Sequence, residues 1–256
     1  MAARKTSSFS SIISQMDKYP HLEHAPIVEA VIDIRAQFEK EWQHESIEEQ
    51  LKKELPDYPH IEPQRMFRTT TTIRPDQQPQ TATIDLGWKG FFFRSEDNKQ
   101  VVQFQRDGFA FSRLKPYEDW DHLIREAHRL WDIYQKYVSP LVPSRLGVRF
   151  INRIEAASEG RIEDYLTDAP EPPCGLEWPF DGFFHHDTFT VPGLPYSVNF
   201  IRFLEAAQPP TKPNMSFIVD IDVFVTSPLE LDNIWGRHLD NIHDIKNEVF
   251  FKGNGP

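Results

Sequence analysis

The alternation of apolar and polar positions divides the chain into strands and helices. Ala30, Ile32, Ile34, Ala36 and Phe38 alternate with Glu29, Asp33, Arg35 and Gln37. That period of two belongs to a strand with one buried face. A helix follows: Ser46 and Glu49 form an S-x-x-E capping box around Ile47, Leu51 and Leu55 continue its apolar spacing, and Pro56 ends it. β-Prone runs then occupy 66–74, 81–94, 100–106 and 109–114, with a kink expected at Gly87 and Gly90 and a hairpin at Asp107-Gly108. Trp120, Leu123, Ile124, Ala127, Leu130, Trp131, Tyr134 and Val138 trace the apolar stripe of a long helix over 117–138. Glu118, Asp119 and Asp121 fall in its first turn, where they complement the helix dipole.

The order then starts again. A strand over 146–155, a short helix over 161–166 and strands over 183–191, 197–206 and 216–226 precede a final helix over 228–250. That helix opens on a second capping box, Ser227-Pro228-Leu229-Glu230, and carries Leu231, Ile234, Trp235, Leu239, Ile242, Ile245 and Val249 on one stripe. Strand, short helix, meander and long helix therefore occur twice. This order predicts an α+β fold of two duplicated halves, 21–140 and 141–256, sharing one core behind an N-terminal extension, 1–20. The expected architecture is a curved antiparallel sheet covered on one side by two long helices, by analogy with TATA-binding-protein-like and helix-grip folds. In the extension, Phe9, Ile12, Ile13 and Met16 fall at helical spacing and form a candidate partner-binding stripe.

Composition narrows the function. Of 256 residues, 39% are hydrophobic and 20 are Phe, enough apolar surface to build a core. The net charge of −11 is uneven: residues 1–140 carry 19 Lys and Arg against 22 Asp and Glu, and residues 141–256 carry 9 against 17. An acidic chain repels phosphate backbones, which argues against nucleic acid as a partner. Cys174 is the single cysteine, so no intrachain disulfide and no Cys-based zinc site within one chain are expected. It lies in a Pro-rich stretch with no adjacent basic group to activate it. No apolar run approaches a membrane span, and Ile12-Ile13 is too short a centre for a signal peptide. A cytoplasmic protein is expected.

Candidate chemistry is sparse. His185 and Asp187 share one face of a strand, but no third metal ligand stands at a standard spacing, so no metal and no cofactor are implied. His238 and His243, five apart on the last helix, do not share a face and read as packed histidines. His122 and Glu126 read as a solvated pair. Asp220 and Asp222 share a strand face and suit acid–base work only with a partner across a cleft. The strand arginines stand out. Arg149 and Arg153, four apart on one face, form with Arg113 and Arg94 a candidate anion-binding set, because guanidinium captures carboxylate or phosphate bidentately. The competing reading pairs these arginines with carboxylates across the sheet.

Four segments carry a resemblance. They are Leu22-Glu23-His24-Ala25-Pro26-Ile27-Val28-Glu29-Ala30-Val31, Phe111-Ser112-Arg113-Leu114-Lys115-Pro116-Tyr117 with Trp120, Arg149-Phe150-Ile151-Asn152-Arg153-Ile154, and His243, Lys246 and Phe250-Phe251. Together they resemble a sporadically distributed bacterial family of about this length, with L-x-x-A-P-I-x-E-A-V and R-Y-I-N-R-I blocks; Phe150 stands where that family has Tyr. The family has no assigned activity, so the resemblance implies a bacterial cytosolic protein and transfers no site. The resulting expectation is a non-catalytic binding or interaction protein, an accessory component of a defence or toxin–antitoxin-like system. Its partner would be another protein, a second copy in a homodimer, or an anionic small molecule. The rival is a hydrolase acting on an anionic small molecule or nucleotide through an Arg-lined sheet face.

Overall fold

β1 (Ile27–Phe38) lies at the centre of a single sheet, and its alternation gives it one apolar face. The computed structural model describes residues 19–20, 22–38, 44–75, 77–138, 140–156, 162–167, 169, 176, 178, 182–205, 216–226, 229 and 234–253. β1 pairs antiparallel with β5 (Gly108–Leu114) on one side and β6 (Pro140–Glu155) on the other. Beyond β5 the sheet continues through β4 (Gln100–Gln105) and β3 (Gln80–Arg94) to β2 (His60–Thr72). Beyond β6 it continues through β9 (Ser216–Val225) and β8 (Ser197–Glu205) to β7 (Phe184–Thr190). Every pairing is antiparallel, in the order β2-β3-β4-β5-β1-β6-β9-β8-β7.

Register decides which residues meet on each face. Ile32 stands between Phe111 and Val148, and Ile34 between Phe109 and Leu146; all are buried. α2 (Trp120–Tyr137) lies on this face. Asp119 caps it, accepting from the His122 N–H at 2.7 Å. Trp131 meets the edge of Phe109, and the Tyr134 hydroxyl donates to the carbonyls of Gln105 and Gly108, which closes the β4–β5 turn onto the helix. α3 (Leu239–Gly253) lies on the same face and touches α2 through Trp120 and His243, stacked at 4.4 Å. α1 (His44–Glu54) contributes buried Leu51 and is tied to α2 by Glu54, which accepts from Lys136 and Tyr137.

The expected architecture is corrected here. The molecule is mainly a nine-stranded antiparallel sheet, not a sheet covered by two long helices. The two parts of the chain contribute five strands and four among the described residues, the numbers that the alternation predicts. The helices cover only the middle. The outer half of β2 and β3 is rich in Thr and exposed on both faces, with Phe67 and Ile84 on opposite faces, so it offers no continuous apolar face for a helix to cover. The last helix is also broken. A π turn (Ile234–His238) contains Gly236 in a non-helical conformation, and the regular helix begins only at Leu239. α1 starts at His44, ahead of the Ser46 box. The 161–166 helix is a 3-10 turn, Ile162–Asp164. The Ser227–Glu230 box, apart from Leu229, lies outside the described residues, as do Phe9, Ile12, Ile13, Met16 and Cys174.

Candidate functional site on the open face of the sheet

The face opposite the helices carries the odd-numbered residues of β1. Asp33 stands between Ala110 and Gly147, and Val31 between Ser112 and Arg149. Small residues at these paired positions leave a depression of about 440 Å3, with Ala110, Ser112 and Gly147 as its floor and Glu29, Arg35, Arg145 and Arg149 among its walls.

Gly147 has a specific role. A Cβ built there would lie 2.4 Å from Nη1 of Arg145, so only glycine lets that guanidinium fold back across the strand. Folded back, Arg145 donates to Asp33 at 2.7 Å and to both oxygens of Asp222 at 2.9 and 3.0 Å, and it lies 4.8 Å over the Phe224 ring. Arg35 approaches Asp33 from the other side at 3.0 Å and donates to Gln105 at 3.0 Å. Asp33 thus bridges two arginines that stand directly opposite each other in the register.

Arg149 differs from these two. It grips Asp220 through Nε at 2.8 Å and through Nη2, and that hydrogen-bonded pairing raises its pKa further above the ordinary arginine value. Asp220 is 7% exposed, whereas the Arg149 side chain is 48% exposed. Its Nη1 makes no hydrogen bond among the described residues. Glu29, diagonal to Arg149 on the same face, has no ion pair or hydrogen bond of its side chain among the described residues. Among the described residues the depression therefore combines a network of paired charges with one anchored arginine whose Nη1 is unused and one carboxylate, Glu29, without a side-chain bond.

The other arginines of the expected set do not join Arg149 as one cluster. Arg153 lies on the same face, two residues beyond Ile151, and pairs with Glu205 at 3.0 Å, both side chains near 40% exposed. Arg94 is also on this face but over the Phe92 ring, four strand spacings from β6, roughly 19 Å away. Arg113 is on the opposite face: it pairs with Ala30 in the register, donates to Glu118 at 2.7 Å and lines a separate cavity of about 310 Å3 beside α2. In that cavity Arg129 and the Tyr58 hydroxyl both donate to Glu126. Burial pushes the Glu126 carboxyl up, but those two hydrogen bonds hold it below its ordinary range.

The remaining candidates have partners of their own. Asp187 accepts from Arg202 at 3.1 Å, and His185 meets the Phe183 ring. His238 bonds the Tyr196 hydroxyl at 2.9 Å, and His122 bonds Asp119 at 2.7 Å. Among the described residues no three His, Cys, Asp or Glu side chains come together to hold a metal.

The four sequence blocks converge in space at one end of the helix-side core. The Pro26 carbonyl accepts from Arg153 N–H at 2.8 Å, and the Val28 carbonyl from Lys115 N–H at 3.0 Å. Tyr117 meets the edge of Phe150, and Lys246 Nζ lies 4.2 Å over the same ring. Lys246 is buried with no carboxylate partner among the described residues, and burial pushes its pKa down to about 8. Burial, reinforced by Lys246, pushes His243 down to about 3. This amine is unusual, but neither cavity reaches it.

Sequence reasoning missed Arg145, Glu29 and Gly147. Arg145 stands just after Pro143-Ser144, ahead of the regular alternation, and Glu29 read simply as a polar position on β1. The usable signal was Gly147 within an apolar strand run, since such a glycine marks close approach by another group. Compared with protein-family models the chain matches none, and it matches no curated protein.

Proposed function

We propose that this chain is a non-catalytic binding protein that receives a small anionic ligand on the open face of its sheet, at Arg149. The observation that carries the reading is the contrast within one depression. Arg145 is shared between two carboxylates and Arg35 between Asp33 and Gln105, whereas Arg149 is anchored by Asp220 alone with Nη1 left over. An arginine held from behind by a buried aspartate is pre-oriented, so little side-chain entropy is lost when it meets a carboxylate or phosphate. Glu29 adds a second point of recognition, an acceptor for a donor group on the same ligand. The hydrolase reading is weaker, because Asp220 and Asp222 already accept from Arg149 and Arg145 and none of the described residues lining the depression is a histidine.

Thermal-shift titration with inorganic phosphate and with acetate tests this. Both probes should raise the melting temperature of the wild-type chain, because a ligand that binds only the folded state stabilises it by mass action. Arg149→Gln should remove the rise and Arg113→Gln should leave it. A rise that survives Arg149→Gln, or no rise in the wild type, overturns the reading.

A further inference from the structure

The outer part of β2 and β3 is a ribbon that leaves the sheet. β4 pairs with β3 only over Gly90–Arg94, while β2 and β3 continue together out to the Thr72–Gln80 pair. From the Arg65–Trp88 pair to that end the ribbon projects about 24 Å, at ~3.4 Å per residue. The swing begins at two register shifts and at Gly87, whose φ of +90° disfavours any residue with a Cβ. All residues from Arg65 to Thr72 and from Gln80 to Asp85 are exposed.

A two-stranded ribbon wet on both faces is marginal in water. Among the described residues this one is held by its ladder, by the Arg65–Asp85 ion pair at 2.6 Å near its base and by two threonine rungs, Thr69–Thr83 at 3.1 Å and Thr71–Thr81 at 3.2 Å. It also exposes Met66, Phe67 and Ile84 at 46%, 57% and 57%. Phe67 pairs with Asp85 and Ile84 with Arg68, so the two large apolar groups lie on opposite faces of the ribbon. Among the described residues no strand pairs with the β2 outer edge. Natural free edges are usually blocked by charge, proline or a bulge. Pro63, Arg65 and Arg68 block the inner part, but Thr69–Thr72 is an uncharged, β-prone edge with no such device.

Charge and symmetry select the occupant. The segment 64–87 carries three arginines against two aspartates, net +1, so the rest of the chain carries −12. Arg68 and Arg74 have no carboxylate partner among the described residues. Two such acidic bodies repel least if they meet through their ribbons, held apart by the ribbon length. A twofold axis turns a strand antiparallel to its own copy, and this isologous contact closes at two, using up the open β2 edge on both.

We infer that the ribbon is a dimerisation arm, in which two copies of this chain pair their β2 outer edges antiparallel over Thr69–Thr72. Each ribbon then becomes half of a four-stranded sheet, with Phe67 and Ile84 gaining neighbours on either face of the seam. The inference is independent of the ligand site, which is lined by residues of β4, β5, β1, β6 and β9 and by none of β2 or β3.

Light scattering on the full chain at high-micromolar concentration, at low and at high salt, tests the arm. We expect a mass of twice 30.0 kDa, with the dimer fraction rising with salt as repulsion between the bodies is screened. Thr70→Lys with Thr72→Lys should reduce the mass to 30.0 kDa with an unchanged far-ultraviolet spectrum, because the ribbon is outside the core. Hydrogen exchange on the wild type gives a second readout that needs no variant: Thr69–Thr72 amides should gain protection as concentration rises. A monomer at both salts, a dimer that survives the paired lysines, a dimer that dissociates as salt rises, or a mass change only on adding duplex DNA each overturns the inference.

Discussion

Arg145 and Gly147 work as one unit, because the side chain of the first occupies the space that a side chain on the second would fill. Gly147→Ala should therefore displace the guanidinium from Asp33 and Asp222 and deform the depression. We expect anion-induced thermal stabilisation to weaken sharply while the spectrum of the folded chain persists; unchanged stabilisation would separate Arg145 from the site. Arg149 and Arg153 should differ in the same assay of stability. Arg153→Ala breaks a half-exposed pair and should cost less than about 1 kcal/mol in urea unfolding. Arg149→Ala leaves Asp220 buried without its partner and should cost more, about 1–3 kcal/mol after allowance for the exposed guanidinium. Lys246 gives a pH signature. Its folded pKa of about 8 lies below the unfolded 10.5, so the full penalty of burying its charge applies below pH 8. Between pH 8 and 10.5 the unfolded chain holds more protons, and this group's contribution to stability rises. Lys246→Met should thus stabilise the protein at pH 7, by at most on the order of 3 kcal/mol, with the gain shrinking toward pH 10.5. A gain independent of pH would mean that the amine is not buried as a cation. The surroundings of Lys246 were not legible in the sequence: it follows His243 by three positions on a helix, and only the fold places Phe150 beneath its charge.

At the scale of the element, the strands were legible because alternation persists wherever one face is covered. β1, β5 and β9 were expected within a few residues of where they stand. α2 was equally plain, since its stripe and its acidic first turn agree with each other. Trp131 lies at the centre of that stripe, 2% exposed, against Phe109, Tyr134 and Trp235. Trp131→Ala should cost about 3–5 kcal/mol in denaturant unfolding; a cost below about 1 kcal/mol would remove it from the core. The break in the last helix was illegible, because the apolar stripe runs through Ile234, Trp235 and Leu239 as if the helix were continuous. Gly236 departs from helical geometry without disturbing that spacing. The β2–β3 ribbon was legible as strand but not as an arm. Thr-rich sequence signals extended backbone, and whether a third strand lies alongside depends on where β4 begins.

At the scale of the molecule, the sequence order indicated repetition, and the chain built one wide sheet whose helices shelter only its middle. Strand order could not be read because β1 recruits neighbours from both parts of the chain, β5 and β6, through pairings that leave no local signature. That recruitment creates the site: Glu29, Ser112, Arg149 and Asp222 come from four different strands. The functional reading therefore depends on which face of the sheet binds. Backbone amide shifts followed during titration with inorganic phosphate decide this most directly. We expect the largest changes at Ala110, Ser112, Gly147 and Arg149, saturating together and absent in Arg149→Gln. Changes confined to Arg113, His122 and Arg125 beside α2, with the central strands silent, would place the ligand on the helix side and contradict an open-face binding protein.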